Sequence, residues 1–221
     1  MRSMWRTEAD LLGDVLALAA AITLVGASFG ALAVTAGLPV WLAMAMSLLV
    51  FAGGSQFLVV GVLAAGGSPL AGLVGGLLVN ARHLPFGLAI ADVIGCGPVR
   101  WLGAHLLIDE STAFARAQDE PHRARLAFWS SGIALFVGWN VGTLVGAIAA
   151  GRIGEPEAFG IDAAFPAALL ALLLPGLRGA ADRRVAAGAA AIALLATPLL
   201  PAGLPVLAAL AALGLGRESA S

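Results

Sequence analysis

The sequence predicts an all-α, polytopic membrane protein of about seven transmembrane helices, some of them discontinuous. Three observations predict it. First, 60% of the 221 residues are hydrophobic and only 11% are charged, with a mean hydropathy of +0.97; a soluble domain carries about 25% charged residues. Second, residues 15–81 contain no charged side chain. That run far exceeds the roughly 20 apolar residues of one spanning helix, so it must hold several spans joined by uncharged turns. Third, Gly-Gly-Ser-Gln at 53–56 and Asn-Ala-Arg-His at 80–83 interrupt otherwise apolar segments. Freed backbone groups and an arginine find no water in lipid, so such interruptions persist only inside protein or beside a water-filled cavity. They point to a binding site or a conduction path.

In chain order, residues 1–14 are a polar N-terminal segment carrying Arg2, Arg6 and an interfacial Trp5. A single transmembrane domain over 15–217 follows, with 218–221 as a tail. The first helix spans about 15–36 and stops at Gly37-Leu38-Pro39, where proline blocks continuation. The second spans about 40–65, with the Gly-Gly-Ser-Gln interruption near its middle, and Gly66-Gly67-Ser68-Pro69 turns the chain. The third, about 70–94, carries Asn80, Arg82, His83, Pro85 and Asp92. Residues 101–117 cross only if Asp109 and Glu110 are buried; otherwise they lie at the interface. A polar loop over 116–125 leads to a span over 126–150, then an acidic loop over 152–162. Residues 163–177 return to Arg178, Arg183 and Arg184, and short apolar stretches at 185–200 and 202–215 close the chain. Each is short for a full span and fits a tilted helix or a hairpin.

Arginine clusters set the orientation. Arg2/Arg6, Arg116/Arg123/Arg125 and Arg178/Arg183/Arg184 are expected on the cytoplasmic side, and the loop with Glu155, Glu157 and Asp162 outside. The N-terminus is then cytoplasmic, 101–117 crosses, and Trp41, Trp101, Trp5 and Trp129 fall at the two interfaces. Gly26-Ala27-Ser28-Phe29-Gly30 loosely echoes Gly138-Trp139-Asn140-Val141-Gly142, the kind of signal an internal repeat leaves in transporters.

A net charge of −1 gives no support for nucleic-acid binding. The single Cys96 excludes an internal disulfide and a cysteine metal cluster, and no metal site or cofactor is expected. Glu8, Asp10 and Asp14 stand where a signal peptide would be basic, and the following apolar run is too long for one.

The polar residues at membrane depth carry the chemistry. Gly53, Gly54, Ser55 and Gln56 read either as a small-residue helix contact or as a helix break whose N–H groups bind a carboxylate. Arg82 near the middle of a span costs roughly 2.5–3.5 kcal/mol on insertion scales, so it demands a partner. Asp92 lies about 15 Å further along a helix, which leaves Asp109, Glu110 or a backbone carbonyl. His83 titrates near neutral pH; the cluster with Asn80 reads either as a structural ion pair or as a gating and binding group. Asp109 and Glu110 are either an interfacial helix end or buried proton carriers. Gly138, Gly142 and Gly146, four apart, read as a close helix seam, with Asn140 and Thr143 beside it. Gly26-Ala27-Ser28-Phe29-Gly30 also matches the G-x-S-x-G nucleophile pattern, with His83 or His105 as a base. That motif needs a strand-turn-helix context, and Ser28 lies in an apolar helix, so an intramembrane serine hydrolase is a remote alternative. A passive channel or structural membrane subunit is another.

Phe51-Ala52-Gly53-Gly54-Ser55-Gln56-Phe57, Asn80-Ala81-Arg82-His83, Asp109-Glu110-Ser111 and Ser28-Phe29-Gly30-Ala31 occur in an order that resembles the AzlC family, the large subunit of branched-chain amino-acid exporters. The resemblance implies a non-enzymatic, multi-pass permease of the bacterial inner membrane. It acts with a small AzlD-like membrane subunit of about four helices and exports leucine, valine and isoleucine, in some members methionine, driven by the proton gradient. Members commonly carry a leucine-like residue at Ala81 and an aromatic at Pro85, departures that bear on substrate range. The implied substrate site near mid-membrane comprises Ser28, Gly53, Gly54, Ser55, Gln56, Asn80 and Arg82, with His83, Asp109 and Glu110 in proton coupling or gating. The carboxylate of the amino acid would meet half-helix N–H groups or Arg82, and Asp109 or Glu110 would receive the ammonium or the coupling proton.

Overall fold

The computed structural model describes residues 8–152, 170, 174, 177, 179–200 and 204–219. Every regular element among them is helical. The helices are α1 (Glu8–Thr35), α2 (Val40–Val50), α3 (Gly53–Ala64), α4 (Pro69–Asn80), α5 (His83–Ala89), α6 (Ala91–Ile94), α7 (Val99–His105), α8 (Asp109–Arg116), α9 (Pro121–Arg152), α10 (Ala180–Ala196) and α11 (Leu204–Ala208), followed by a 3-10 helix (Ala209–Ser219). The expected return span at 163–177 lies outside the described residues, apart from isolated positions.

Two helices are long and apolar enough to cross a bilayer unaided. The 28 residues of α1 reach about 42 Å and the 32 of α9 about 48 Å, against a hydrocarbon core of about 30 Å. The remaining apolar segments of the first two-thirds are broken. The 40–65 segment divides at Phe51-Ala52 into α2 and α3, the 70–94 segment at Ala81-Arg82 and again at Ile90, and the 101–117 segment at 106–108. Among the described residues, two helices of spanning length are thus accompanied by shorter apolar ones.

Local chemistry sets these ends. Helix α1 is already helical at Glu8, seven residues before the apolar run, and Glu8 and Asp10 lie in its first described turn. It closes on Gly37 at φ 90°, with Leu38 N–H donating to Ala33 O (3.0 Å) and Gly37 N–H to Val34 O (3.0 Å). That paired arrangement is a left-handed helix stop. Helix α3 ends the same way at Gly66, where Gly67 N–H reaches Val62 O at 2.8 Å. Ser68 Oγ then accepts from Ala71 N–H (3.1 Å), capping α4, and Pro69 takes the first helical position.

The chain forms two compact units. The first holds α1, α2 and α5 to α9. Its axis is the pairing of α1 with α9, where glycines let the two backbones touch. A Cβ at Gly26 would lie 2.6 Å from Trp139 O, and one at Gly30 would overlap Thr143 O. Reciprocally, a Cβ at Gly142 would overlap Thr23 O and one at Gly146 would overlap Ala27 O. The seam read from Gly138, Gly142 and Gly146 is thus a real contact, and the glycines it faces are those of the echo motif in α1. Helices α2, α6 and α8 also pack on α9. Ile90, Val93, Ile94, Leu107, Ala115 and Phe128 form a core where they meet. The second unit contains α3 from Gly54, α4 to Val79, and the C-terminal helices. Within it Gly72 and Gly76 of α4 face Val59 of α3, and α10 packs on α11 and the 3-10 helix.

Gly142→Val is expected to lower the melting temperature by about 3–10 °C through overpacking against backbone, read by fluorescence-detected size exclusion of heated membranes. Gly151→Ala, where a Cβ would meet nothing within 4 Å, is expected to melt like the unsubstituted chain.

Candidate functional site

The α7–α8 break is built by two small residues. Gly132 on α9 lets Leu106 approach so closely that a Cβ at 132 would lie 3.2 Å from Leu106 Cβ. The chain leaves α7 there, and Leu106, Leu107 and Ile108 are buried without helical geometry. Ser111 then closes the opened backbone. Ile108 N–H donates to Ser111 Oγ (3.0 Å), and Ser111 Oγ donates to Leu106 O (2.9 Å), with Ile108 O also near at 3.1 Å. The serine of Asp109-Glu110-Ser111 is thus a capping residue. It leaves the two carboxylates in the first turn of α8, the electrostatically favourable end.

Arg82 comes from the α4–α5 break. Its Nη1 lies 3.0 Å from Asp109 Oδ2, and the two side chains are 41% and 42% exposed. The pair therefore stands at the rim of its unit with donors and acceptors to spare. Asp92 is not its partner: Asp92 offers its carbonyl to Arg125 Nη2 at 3.4 Å instead. His83 starts α5; its Nδ1 lies 3.0 Å from Asn80 O, and the ring packs edge-on to Phe86. His83 and Glu110 are within electrostatic reach of both Arg82 and Asp109. Asn80, Arg82, His83, Asp109 and Glu110 therefore form one cluster, with helices α5 and α8 in contact.

Four polar atoms of this cluster are buried without a hydrogen-bond partner among the described residues: Asn80 Oδ1, His83 Nε2, Asp109 Oδ1 and Thr112 Oγ1. Thr112 is 7% exposed and was not singled out by the sequence. Its signal was there, since it follows Asp109 by three residues and shares its helix face.

The other expected residues lie elsewhere. Gly53 opens α3, and its missing side chain admits the Trp139 indole, which would lie 2.9 Å from a Cβ. Gly54, Ser55 and Gln56 complete the first turn of α3 and belong to the second unit, where Ser55 faces Gly76. The interruption is real, but it falls at Phe51-Ala52, just before the glycines. Ser28 sits within α1, its Oγ directed to Leu24 O at 3.2 Å. No strand-turn-helix elbow surrounds it among the described residues, which removes the geometric basis for a serine nucleophile.

A second polar group reads differently. Ser47 Oγ donates to Asn140 Oδ1 (2.8 Å), Asn140 Nδ2 to Phe136 O (2.8 Å) and Thr143 Oγ1 to Trp139 O (2.8 Å). Asn140 and Thr143 thus line no open space: they close on Ser47 of α2 and on their own backbone. Beside them, Phe51, Phe136 and His105 form an aromatic group with centroids 5.1–6.4 Å apart.

Two helices long enough to cross a bilayer, beside apolar helices broken where charges pair, are the features of a membrane-embedded helical protein. The chain belongs to the AzlC family, whose pattern, described as AzlC protein, matches residues 17–153 and so includes every motif above. An uncharacterized membrane protein of Haemophilus influenzae is 31% identical over 106 residues, 46% of this chain and 43% of that protein. The chain thus spans under half the length of that relative. No solved structure matches.

Removing one member of the charge pair strands the other. Arg82→Leu and Asp109→Leu are each expected to lower membrane yield and melting temperature, and the double variant to recover part of the loss. Additive single effects would show that the pair is not coupled.

Proposed function

We propose that this protein is the large subunit of a secondary transporter that exports branched-chain amino acids, leucine, valine and isoleucine, with methionine as a further candidate, coupled to the proton gradient. It is a permease, not an enzyme. The observation that carries this reading is the Arg82–Asp109 ion pair at two helix breaks in a chain of the AzlC family. A charge pair between unbroken helices would serve packing alone, whereas this one is half-open and adjoins buried, unpaired polar atoms.

In mechanism, Arg82 uses one donor on Asp109 and retains others for a substrate carboxylate, because guanidinium carries five N–H groups. With Glu110 ionised, Arg82, Asp109 and Glu110 carry one net negative charge. That charge is balanced either by a proton on Glu110 or by the substrate's ammonium. Binding of one therefore disfavours the other, which exchanges solute for proton when the site opens to each face in turn. His83 is the second proton-carrying group. The N–H groups at the start of α3 (Gly53, Gly54, Ser55, Gln56) and Ser28 are further candidate contacts for the solute. The chain lies in the bacterial inner membrane with its N-terminus and Arg116–Arg125 loop on the cytoplasmic side, and works with a small AzlD-like subunit of about four helices.

Efflux of labelled leucine or valine from peptide-loaded cells tests the reading, with and without the small subunit and with the proton gradient collapsed. Efflux is expected to need both chains and the gradient. Arg82→Ala is expected to abolish it when efflux is compared at matched membrane abundance, and Glu110→Gln to remove its dependence on the gradient. Normal efflux by Arg82→Ala, or efflux indifferent to the gradient in the unsubstituted protein, contradicts the mechanism.

A further inference from the structure

The four unpartnered atoms have a common chemical character. His83 Nδ1 contacts the Asn80 carbonyl at 3.0 Å; a carbonyl only accepts, so Nδ1 carries the proton and Nε2 of the neutral ring is an acceptor. Asn80 Oδ1 and Asp109 Oδ1 are acceptors as well. Thr112 alone brings a hydrogen, and among the described residues its hydroxyl has no partner, not even at its usual outlet. A helical threonine turns its hydroxyl to the carbonyl four residues back, as Thr23, Thr143 and Thr197 do here. For Thr112 that carbonyl is Ile108 O, which already accepts from the Thr112 N–H (3.0 Å) and faces Ser111 Oγ (3.1 Å).

Three acceptors and one hydroxyl cannot satisfy one another. A carboxylate would add two more acceptors to the excess. A primary ammonium brings three N–H donors and the one positive charge that Arg82, Asp109 and Glu110 lack between them. Asp109 and Thr112 share a face of α8, Asn80 and His83 are joined by their own contact, and the 3.0 Å ion pair ties the two sets together.

We infer that Asn80 Oδ1, His83 Nε2, Asp109 Oδ1 and Thr112 Oγ1 form a subsite for a primary ammonium group, with Thr112 as a specificity-determining residue. The site accordingly recognises aliphatic primary amines even when they carry no carboxylate. This rests on the transport reading for its physiological solute, but the recognition itself is separately testable.

The test is thermal stabilisation of the purified full-length protein by three ligands of one carbon skeleton. These are leucine, 3-methylbutylamine (ammonium only) and 4-methylpentanoate (carboxylate only). Leucine and the amine are expected to raise the melting temperature, and the acid is not. Thr112→Val is expected to weaken the Kd for the amine about tenfold, the scale of one lost hydrogen bond to a charged group, and Thr112→Ser to restore it. Stabilisation by the acid as strong as that by leucine, or an unchanged amine Kd in Thr112→Val, overturns the subsite while leaving amino-acid transport standing. Stabilisation by the amine without any by leucine keeps the subsite and removes the amino-acid reading. A cooperative melt that none of the three ligands shifts overturns the inference.

Discussion

The contact between α1 and α9 is the constraint on which the first unit depends. Lipid tails are as apolar as leucine, so burial does not drive two membrane helices together; close backbone approach does. Gly26 and Gly30 on one helix, and Gly138, Gly142 and Gly146 on the other, make that approach possible. Each removes a Cβ that would fall on the facing backbone. With α1 and α9 in register, α9 offers what the broken helices need. Asn140 holds Ser47 of α2, Gly132 admits the break after α7, and Phe136 receives both Phe51 and His105.

The breaks follow a second constraint. A backbone interrupted at membrane depth exposes amides and carbonyls that lipid cannot solvate. The chain satisfies them locally wherever it only needs to turn. Gly37 and Gly66 fold the helix end back on itself, Ser68 caps α4, and Ser111 bridges the 106–108 break from both sides. These residues are small and uncharged. Asp109 and Glu110 lie in the first turn of α8.

Much of this was legible in the sequence, and what was hidden has a physical reason. The stops at Gly37 and Gly66, the seam glycines, and Arg82's need for a partner other than Asp92 all rest on short-range chemistry that a single chain displays. Helix α1 extends ahead of the expected start at 15 because hydropathy marks where lipid begins, whereas the helix runs on through polar residues and buries Leu11. The second interruption falls at Phe51-Ala52 because Gly53 to Gln56 serve well as a helical first turn. Residues 101–117 were ambiguous because two half-helices average into one weakly apolar stretch. Ser47 and Thr112 were missed for a common reason. A lone hydroxyl in an apolar segment ordinarily bonds its own backbone, and only the tertiary structure shows that Ser47 reaches Asn140 and that the Thr112 hydroxyl does not bond its helix.

The two buried polar groups of the first unit separate structure from function by their hydrogen-bond accounts. Ser47 Oγ, Asn140 Nδ2 and Thr143 Oγ1 each donate to an acceptor at 2.8 Å, and the group lies within the α2–α9 contact. Such a network fixes helix packing. Around Arg82 and Asp109 the account does not close: one strong ion pair is surrounded by acceptors that no neighbouring donor reaches. An unpaired buried acceptor is costly, and a group placed only for stability would be simplified by any apolar substitution. A carboxamide, an imidazole, a carboxylate and a hydroxyl arranged with the same deficiency are instead complementary to something the described residues do not supply. The shortage is of donors and of positive charge, so the missing partner is a cation rich in N–H groups. That complementarity also limits what the site passes. In the proposed mechanism a solute enters by supplying the charge that a proton supplies in its absence, which would tie selectivity and coupling to the same few atoms.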